Sequence, residues 1–293
     1  MAASALSAAA PRRRTRTLRP GFLISRAIVY AVVIIGAIIF AFPFVWMLSA
    51  SVKPPGEVFI YPPKWIPSVW QFSHYTQPWT EVPFATFYKN TAIVVCIDIV
   101  ATVFSSSIVA FAFARMRFRG RGFLFLLIVS TLMLPSQVTL IPQYVLFAHL
   151  HWVNTLRPLI VPVFFGSAFN IFLLRQFMMG IPHEMDDAAR MDGATWLGIY
   201  WRIMLPLAAP ALGVVAIFEF TFRWNDFFGP LIYLNTPDKF TIQLGLRMLT
   251  TQYTSDVPGT MAMTVVSLVP VLAIFFLAQR YFIQGIVISG IKG

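Results

Sequence analysis

Long apolar stretches alternate with short segments that collect most of the charges, and this pattern recurs six times along the chain. A helix that crosses a bilayer needs about 20 mostly apolar residues. Stretches of this kind lie at 27–49, 91–114, 122–147, 156–178, 208–233 and 260–282. The pattern predicts an all-α, polytopic membrane protein with six transmembrane helices. Pro135 and Pro142 interrupt the third stretch, and we expect a kink there because proline removes a backbone donor.

The composition supports a membrane protein over a soluble one. Apolar residues make up 58% of the 293 residues and charged residues only 11%, whereas a soluble domain has about 45–50% and about 25%. These values exclude a soluble enzyme or a disordered scaffold. The net charge of +11 could indicate nucleic-acid binding, but its distribution indicates a membrane instead, and we expect no nucleic-acid partner.

The cationic residues predict the orientation of the chain, because they accumulate in short cytoplasmic flanks. They cluster in the segment before the first stretch, in the link between the second and third, around the link between the fourth and fifth, and at the C-terminus. We therefore expect both termini in the cytoplasm, with residues 1–26 as a basic cytoplasmic tail and 27–293 as the transmembrane domain. An orientation signal explains the tail better than an anionic-lipid anchor does.

Sequence motifs for catalysis and metal binding are missing. The chain has no GxxxxGK[ST] phosphate loop, no HExxH pair and only one cysteine. We therefore expect no catalytic residue, no metal site and no ATP site of its own.

The segment 180–206 is too polar to cross a bilayer and has the pattern of two short helices. Acidic residues favour the start of the first helix, and Asp192-Gly193 predicts a turn, since glycine tolerates the left-handed conformation. Trp196, Ile199, Tyr200 and Ile203 then form one apolar stripe, and Pro206 ends the second helix. With the small Ala188 and Ala189 exposed, the segment suits insertion into a groove of another protein or a position on the lipid surface equally well.

The same segment resembles the EAA loop of binding-protein-dependent ABC importer permeases. That loop reads Glu-Ala-Ala, three residues, Gly, nine residues and Ile-x-Leu-Pro, and Asp187 stands here in place of the glutamate. The resemblance implies the type I ABC importer permease fold and a coupling helix that seats in a cleft of an ATPase subunit. The residues that would couple to the ATPase are Asp187, Ala188, Ala189, Asp192, Gly193, Ile203, Leu205 and Pro206.

Two further stretches are similar to the second permease of carbohydrate importers of the maltose and glycerol-phosphate type. They are the run that begins at Trp224-Asn225-Asp226 and the C-terminal segment that ends in Lys292-Gly293. This resemblance implies a second permease partner, two ATPase copies that hold ATP and Mg, and an extracytoplasmic solute-binding protein. It also implies a bacterial or archaeal inner-membrane location, a non-enzymatic chain, and docking of Lys292 and Gly293 on the ATPase.

Away from their ends, the predicted spans contain four charged residues, which are expensive in a membrane and indicate function or assembly. Glu219, Arg223 and Asp226 have the spacing of one helical face. Asp98 stands alone in the sequence, and it could pair with Arg223, pair with a residue of another chain, or lie in a water-filled cavity. Trp224, Asn225 and Asp226 could contact a sugar, since polar donors beside an aromatic ring suit its hydroxyls and its C–H face. A structural ion pair of Glu219 with Arg223 competes with that role. An ion-coupled secondary transporter that uses these carboxylates remains the alternative function.

Overall fold

The computed structural model of the protein describes residues 20–252 and 256–290, and every regular element within them is helical. The α-helices in chain order are α1 Pro20–Ala50, α2 Pro78–Glu81, α3 Phe84–Arg115, α4 Arg121–Ser130, α5 Ser136–His149, α6 Arg157–Ile160, α7 Ala168–Met179, α8 Glu184–Met191, α9 Trp196–Ile199, α10 Leu205–Leu207, α11 Ala209–Trp224, α12 Phe228–Tyr233, α13 Ile242–Gln252 and α14 Val257–Gly290. Short 3-10 turns join several of them, and a π-helical turn, Tyr200–Met204, joins α9 to α10. The predicted all-α class is confirmed.

The chain divides into two compact units, Met1–Met47 and Leu48–Gly293. The described part of the first unit is the apolar helix α1, which continues to Ala50. The second unit contains all the other helices and every residue of the sites discussed below.

Four helical segments within the described residues are long and apolar enough to cross a membrane. They are Arg26–Ala50, Phe84–Arg115, Arg157–Met179 and Val257–Gln279. Two further pairs, Arg121–Met133 with Gln137–His149 and Trp196–Leu207 with Ala209–Trp224, pass the same test but bend by 99° and 75°. Counting each bent pair as one span gives the six spans that the sequence predicts.

The third and fourth spans are irregular for reasons that the sequence contains. The predicted kink of the third span falls at the junction of α4 and α5, next to Pro135, whereas Pro142 lies inside α5. The fourth span begins as α6, continues as the 3-10 turn Val161–Phe165 and becomes α-helical again only at Ala168. Gly166 makes this break possible, because its φ of +86° is a conformation that other residues rarely adopt.

The fifth predicted span is interrupted at both ends. Its first residue, Ala208, lies at the bend between α10 and α11, and α11 ends at Trp224 before the short α12 begins. The expectation that Glu219, Arg223 and Asp226 share one helical face is therefore wrong for Asp226, which lies beyond the end of α11.

The core is built around α3. This helix packs against α7 and α11, and α11 in turn packs against α14. One apolar cluster joins the C-terminal half of α3 to α7, α11 and the segment 199–208. A second joins the N-terminal half of α3 to α11, α13 and α14. Helix α3 therefore contacts both regions that carry the candidate functional residues.

Candidate functional site

Helix α8 and the turn that follows it form the first half of the segment 180–206. The N–H of Ala194 donates to the carbonyl of Ala189 (2.9 Å), and the N–H of Gly193 donates to that of Arg190 (3.0 Å). These two bonds define a Schellman motif, which requires a left-handed residue directly after the helix cap. Gly193 supplies it with φ of +79°, and the turn predicted at Asp192-Gly193 is confirmed.

The second half of the segment differs from the predicted regular helix. The π-helical turn Tyr200–Met204 inserts one extra residue, so that Ile199, Tyr200 and Met204 are buried while Ile203 is only half-buried. Pro206 does not end the helix, which continues through α10 and breaks at Ala208. A wide turn just before proline accommodates the missing N–H and the ring, which explains why the break falls two residues later than expected.

The buried side chains of this second half attach it to α3. Tyr200 is 1% exposed, and its hydroxyl lies 2.7 Å from the Ser107 hydroxyl of α3. Its ring also packs on Phe111, with the ring centroids 5.3 Å apart. One side of the segment from α9 to α10 is therefore part of the core.

Arg115, the last residue of α3, attaches the first half of the segment. Its side chain is fully buried, and Nη2 donates to the carbonyls of Met178 (2.8 Å) and Ile181 (2.7 Å). Nη1 lies 3.0 Å from Nδ1 of His183 and 3.4 Å from Oδ2 of Asp186. We call these five residues the Arg115 clamp. One guanidinium thereby joins the end of α3 to the end of α7 and to the start of α8.

The outer surface of α8 presents small and apolar side chains among charged ones. Met191 is 89% exposed, and Asp187 and Ala188 are exposed beside it. Of the other residues in the predicted coupling set, Asp192, Gly193 and Pro206 are exposed, and Ala189, Ile203 and Leu205 are half-buried. The exposed face of α8 is rigidly supported from behind by the Arg115 clamp, which suits a surface that another protein contacts.

Three of the four intramembrane charges form one cluster. Nε of Arg223 donates to Oε1 of Glu219 (2.8 Å) and lies 3.0 Å from Oδ2 of Asp98. The side chain of Asp98 is fully buried and that of Glu219 is 10% exposed. The cluster links α3 to α11, and its two carboxylates outnumber its one cation.

The residues expected beside a sugar have hydrogen-bond partners within the chain. Trp224 is buried, and its indole N–H donates to the carbonyl of Ser267 (2.9 Å). The amide of Asn225 donates to the carbonyl of Thr221 (2.8 Å), and Oδ1 of Asp226 accepts from the N–H of Gly229 (3.1 Å). The last two bonds end α11 and start α12, so Asn225 and Asp226 serve the break between the two helices, whereas Trp224 joins α11 to α14.

A cavity of about 930 Å³ lies beside the charge cluster, lined by residues of α3, α7, α11 and α14 and of the turn before α7. Glu219 and Arg223 contribute to its wall, but Trp224, Asn225 and Asp226 do not. The space therefore opens along α11, about one helical turn before the residues that the sequence indicated.

Sequence reasoning missed Arg115, His183 and Asp186 as a unit. Arg115 counted only as one of several cytoplasmic cations, because nothing local indicates that it is buried. Lys292 and Gly293, expected to dock on the ATPase, lie outside the described residues. Within the described part of the chain, no group of three or more His, Cys, Asp or Glu residues is arranged to hold a metal ion.

Comparison with known proteins identifies the family. Residues 103–288 match the family described as the inner membrane component of binding-protein-dependent transport systems. The chain is 35% identical over 260 residues to the arabinooligosaccharides transport system permease protein AraQ of Halalkalibacterium halodurans, covering 88% of this chain and 93% of the relative. It is 30% identical to the diacetylchitobiose uptake system permease protein NgcG of Streptomyces coelicolor, covering 87% and 85%.

A solved structure with the same fold supports this identification. It is the crystal structure of a bacterial ABC transporter involved in the import of the acidic polysaccharide alginate. The match has a TM-score of 0.79 at 25% identity and covers 90% of this chain and 98% of the other. The chain belongs to the family of inner membrane components of binding-protein-dependent transport systems, and it is a transmembrane permease subunit of an ABC importer, whose ATPase is a separate subunit.

Proposed function

We propose that this permease imports a sugar or an oligosaccharide and is driven by ATP that its partners hydrolyse. The named relatives transport arabinooligosaccharides and diacetylchitobiose, and the solved relative imports alginate. All three are saccharides, which supports a saccharide for this chain also. The family assignment favours this function over the ion-coupled secondary transporter that the intramembrane carboxylates left open.

The chain works as one part of a larger complex. A second permease encloses the pathway with it, two copies of an ATPase subunit bind ATP and Mg, and a solute-binding protein docks on the outer side. This chain is arranged across the membrane as the sequence predicts, with the tail 1–26 in the cytoplasm and the domain 27–293 in the membrane. The proximity of Arg115 to α8 supports one cytoplasmic side for the two cation-rich segments, at the end of α3 and after α7.

The exposed face of α8 is the observation that carries the coupling role of segment 180–206. Met185 and Met191 are both exposed apolar side chains of α8, which suits burial in a groove of a partner protein. The carboxylate of Asp187 and the small Ala188 lie on the same exposed helix, which suits a helix seated in a groove. Because the Arg115 clamp and the core hold the back of the segment, a push on α8 moves α3. Lys292 and Gly293 add a second ATPase contact in this proposal.

Purification of the tagged chain in mild detergent tests the assembly. We expect a second permease and an ATPase to copurify, and their absence under several mild detergents would contradict the proposal. In proteoliposomes that contain the complex and its binding protein, uptake of labelled oligosaccharide should stop when the ATPase is inactivated. Uptake that survives this change and disappears with an uncoupler would restore the secondary transporter.

A bulky substitution on α8 tests the coupling surface. Ala188→Trp should leave the fold intact because residue 188 is exposed, yet it should prevent seating in the ATPase groove. We expect loss of ATPase copurification and of uptake. Ala148→Trp, at an exposed position near the end of α5, is the matched control and should keep both. Equal behaviour of the two variants would refute the coupling role of α8.

A further inference from the structure

Two arginines lie close together where α3, α4 and α7 meet at a boundary of the membrane-spanning region. The span Phe84–Arg115 and the span Arg157–Met179 end there, and the helical segment Arg121–Met133 begins there. Arg121 is the first residue of α4, and Arg175 lies about one helical turn before the end of α7. Both residues are half-buried, so their guanidiniums lie at the level of the lipid headgroups and not in bulk water.

Both guanidiniums are held against the end of α3. Nε of Arg175 donates to the carbonyl of Phe113 (3.2 Å), and Nη1 of Arg121 donates to the carbonyl of Met116 (3.2 Å). The guanidinium carbon of Arg175 also lies 4.1 Å from the ring centroid of Phe125 in α4, which is the geometry of a cation–π contact. We call Arg121, Arg175 and Phe125 the α4 basic surface.

The positive charges of the α4 basic surface have no counter-charge within the described part of the chain. Arg121 and Arg175 are close enough to repel each other, and neither forms an ion pair with a described residue. The whole stretch 99–183, which includes both arginines, contains no Asp or Glu. Each guanidinium has five N–H donors and uses one of them in the hydrogen bond to α3. The arrangement therefore indicates an anion that binds both arginines and that this chain does not itself supply.

The surroundings of the two guanidiniums are apolar. Phe123 and Leu126 of α4 and Phe172 of α7 are exposed. The ring of Phe172 stacks on that of Phe125, with the ring centroids 6.3 Å apart. An anion that carries an acyl chain matches both parts of this surface, because the chain covers apolar side chains while the anionic group binds the arginines.

We propose that the α4 basic surface binds an anionic phospholipid, with a headgroup phosphate between Arg121 and Arg175 and an acyl chain along α4. Guanidiniums bind phosphate oxygens through paired N–H donors, and basic pockets between transmembrane helices bind anionic headgroups. The surface favours phosphatidylglycerol and cardiolipin over phosphatidylethanolamine, because the ammonium group of phosphatidylethanolamine adds a third positive charge beside the two guanidiniums. This lipid ligand is independent of the transported solute and of the coupling role of α8.

Native mass spectrometry of the purified complex, with all its subunits, tests the proposal. The probes are dioleoyl phosphatidylglycerol, tetraoleoyl cardiolipin and dioleoyl phosphatidylethanolamine, each titrated in the same detergent. We expect both anionic lipids to bind the wild-type complex more tightly than phosphatidylethanolamine. Arg121→Gln and Arg175→Gln should each weaken the anionic lipids about fivefold, the contribution of one cation near a membrane surface, and leave phosphatidylethanolamine unchanged.

Two further variants separate a specific site from diffuse attraction. Arg202→Gln removes the same charge from an exposed arginine that has no ion pair among the described residues, and this matched control should bind every lipid as wild type. Phe125→Leu keeps both cations but removes the ring that orients Arg175, and it should weaken the anionic lipids about two- to fivefold.

Three results would overturn the proposal. The first is equal binding of phosphatidylglycerol and phosphatidylethanolamine by the wild-type complex. The second is an equal effect of Arg175→Gln and Arg202→Gln, which would show that only the total charge matters. The third is displacement of phosphatidylglycerol by excess inorganic phosphate, which would show that the surface takes free phosphate and that the acyl chain adds nothing.

Discussion

The Arg115 clamp gives the sharpest mechanical prediction. Arg115→Met keeps the length and the apolar stem of the side chain but removes the guanidinium. The carbonyls of Met178 and Ile181 then lose a charged donor, worth about 1.5–3 kcal/mol each. The carboxylate of Asp186 loses its buried cation, and breaking such a pair costs about 3–5 kcal/mol. These energies all come from one side chain and do not add. We therefore expect the attachment of α8 to α3 to lose about 3–5 kcal/mol of stability.

This loss should appear as local opening of segment 180–194. At about 1.4 kcal/mol per tenfold change, the open population should rise by roughly two to three and a half orders of magnitude. Hydrogen exchange of the purified complex measures it directly, because amides of α8 should exchange faster while those of the middle of α3 should not. We also expect ATP hydrolysis to continue while oligosaccharide uptake falls.

Two further variants make the reasoning refutable. Arg117→Met removes an exposed cation two residues away and should leave exchange unchanged. The double variant Arg115→Met with Asp186→Asn removes the stranded charge and should recover part of the protection. If Arg115→Met exchanges like wild type in segment 180–194, the clamp does not hold α8 in place.

Three other changes test separate features. Gly193→Val should destabilise the turn after α8 by about 1–2 kcal/mol, because a left-handed conformation is strained for any residue with a Cβ. Gly193→Asn should destabilise the turn less. Unchanged ATPase stimulation and uptake in the valine variant would argue against a coupling role for the turn. Arg223→Ala should leave Glu219 without its cation and lower the yield or the uptake of the complex, and a fully active variant would show that the charge cluster is incidental. Removal of residues 291–293, which include Lys292 and Gly293, should weaken ATPase copurification, so a wild-type yield of ATPase would disprove the tail contact.

Much of the fold is readable from the sequence because bilayer-spanning helices need long apolar stretches. All six stretches are mainly helical, and Pro135 marks the bend of the third span. The turn at Gly193 was also predictable from local sequence. A short helix that begins with acidic residues and is followed by a glycine is the pattern of a helix that ends in a C-terminal turn. These features depend on residues close together in the chain.

The remaining features depend on contacts between distant residues. The π-helical turn places Met204 in the core where the regular helical period predicts Ile203. Arg115 and Asp186 are 71 positions apart in the numbering, and no local pattern reveals that they meet. Asn225 and Asp226 look like intramembrane polar residues in the sequence, but a break between α11 and α12 uses both side chains. The charge cluster is an intermediate case, because the pairing of Asp98 with Arg223 was one of several possibilities.

Helix α3 connects these features in a way that bears on transport. Arg115 ends the helix at the clamp, and Asp98 lies 17 positions earlier in the charge cluster. At 1.5 Å per residue this separation is about 26 Å, most of the thickness of a bilayer core. A continuous helix of this length moves largely as one body, and Thr102 places it in the wall of the cavity as well. In the proposed coupling role, an ATPase that displaces α8 either breaks the Arg115 clamp or carries α3 with it. The second course is expected to shift Asp98 against Arg223 and to reshape the cavity. The proposed coupling surface and the intramembrane cavity thus meet on a single helix, α3.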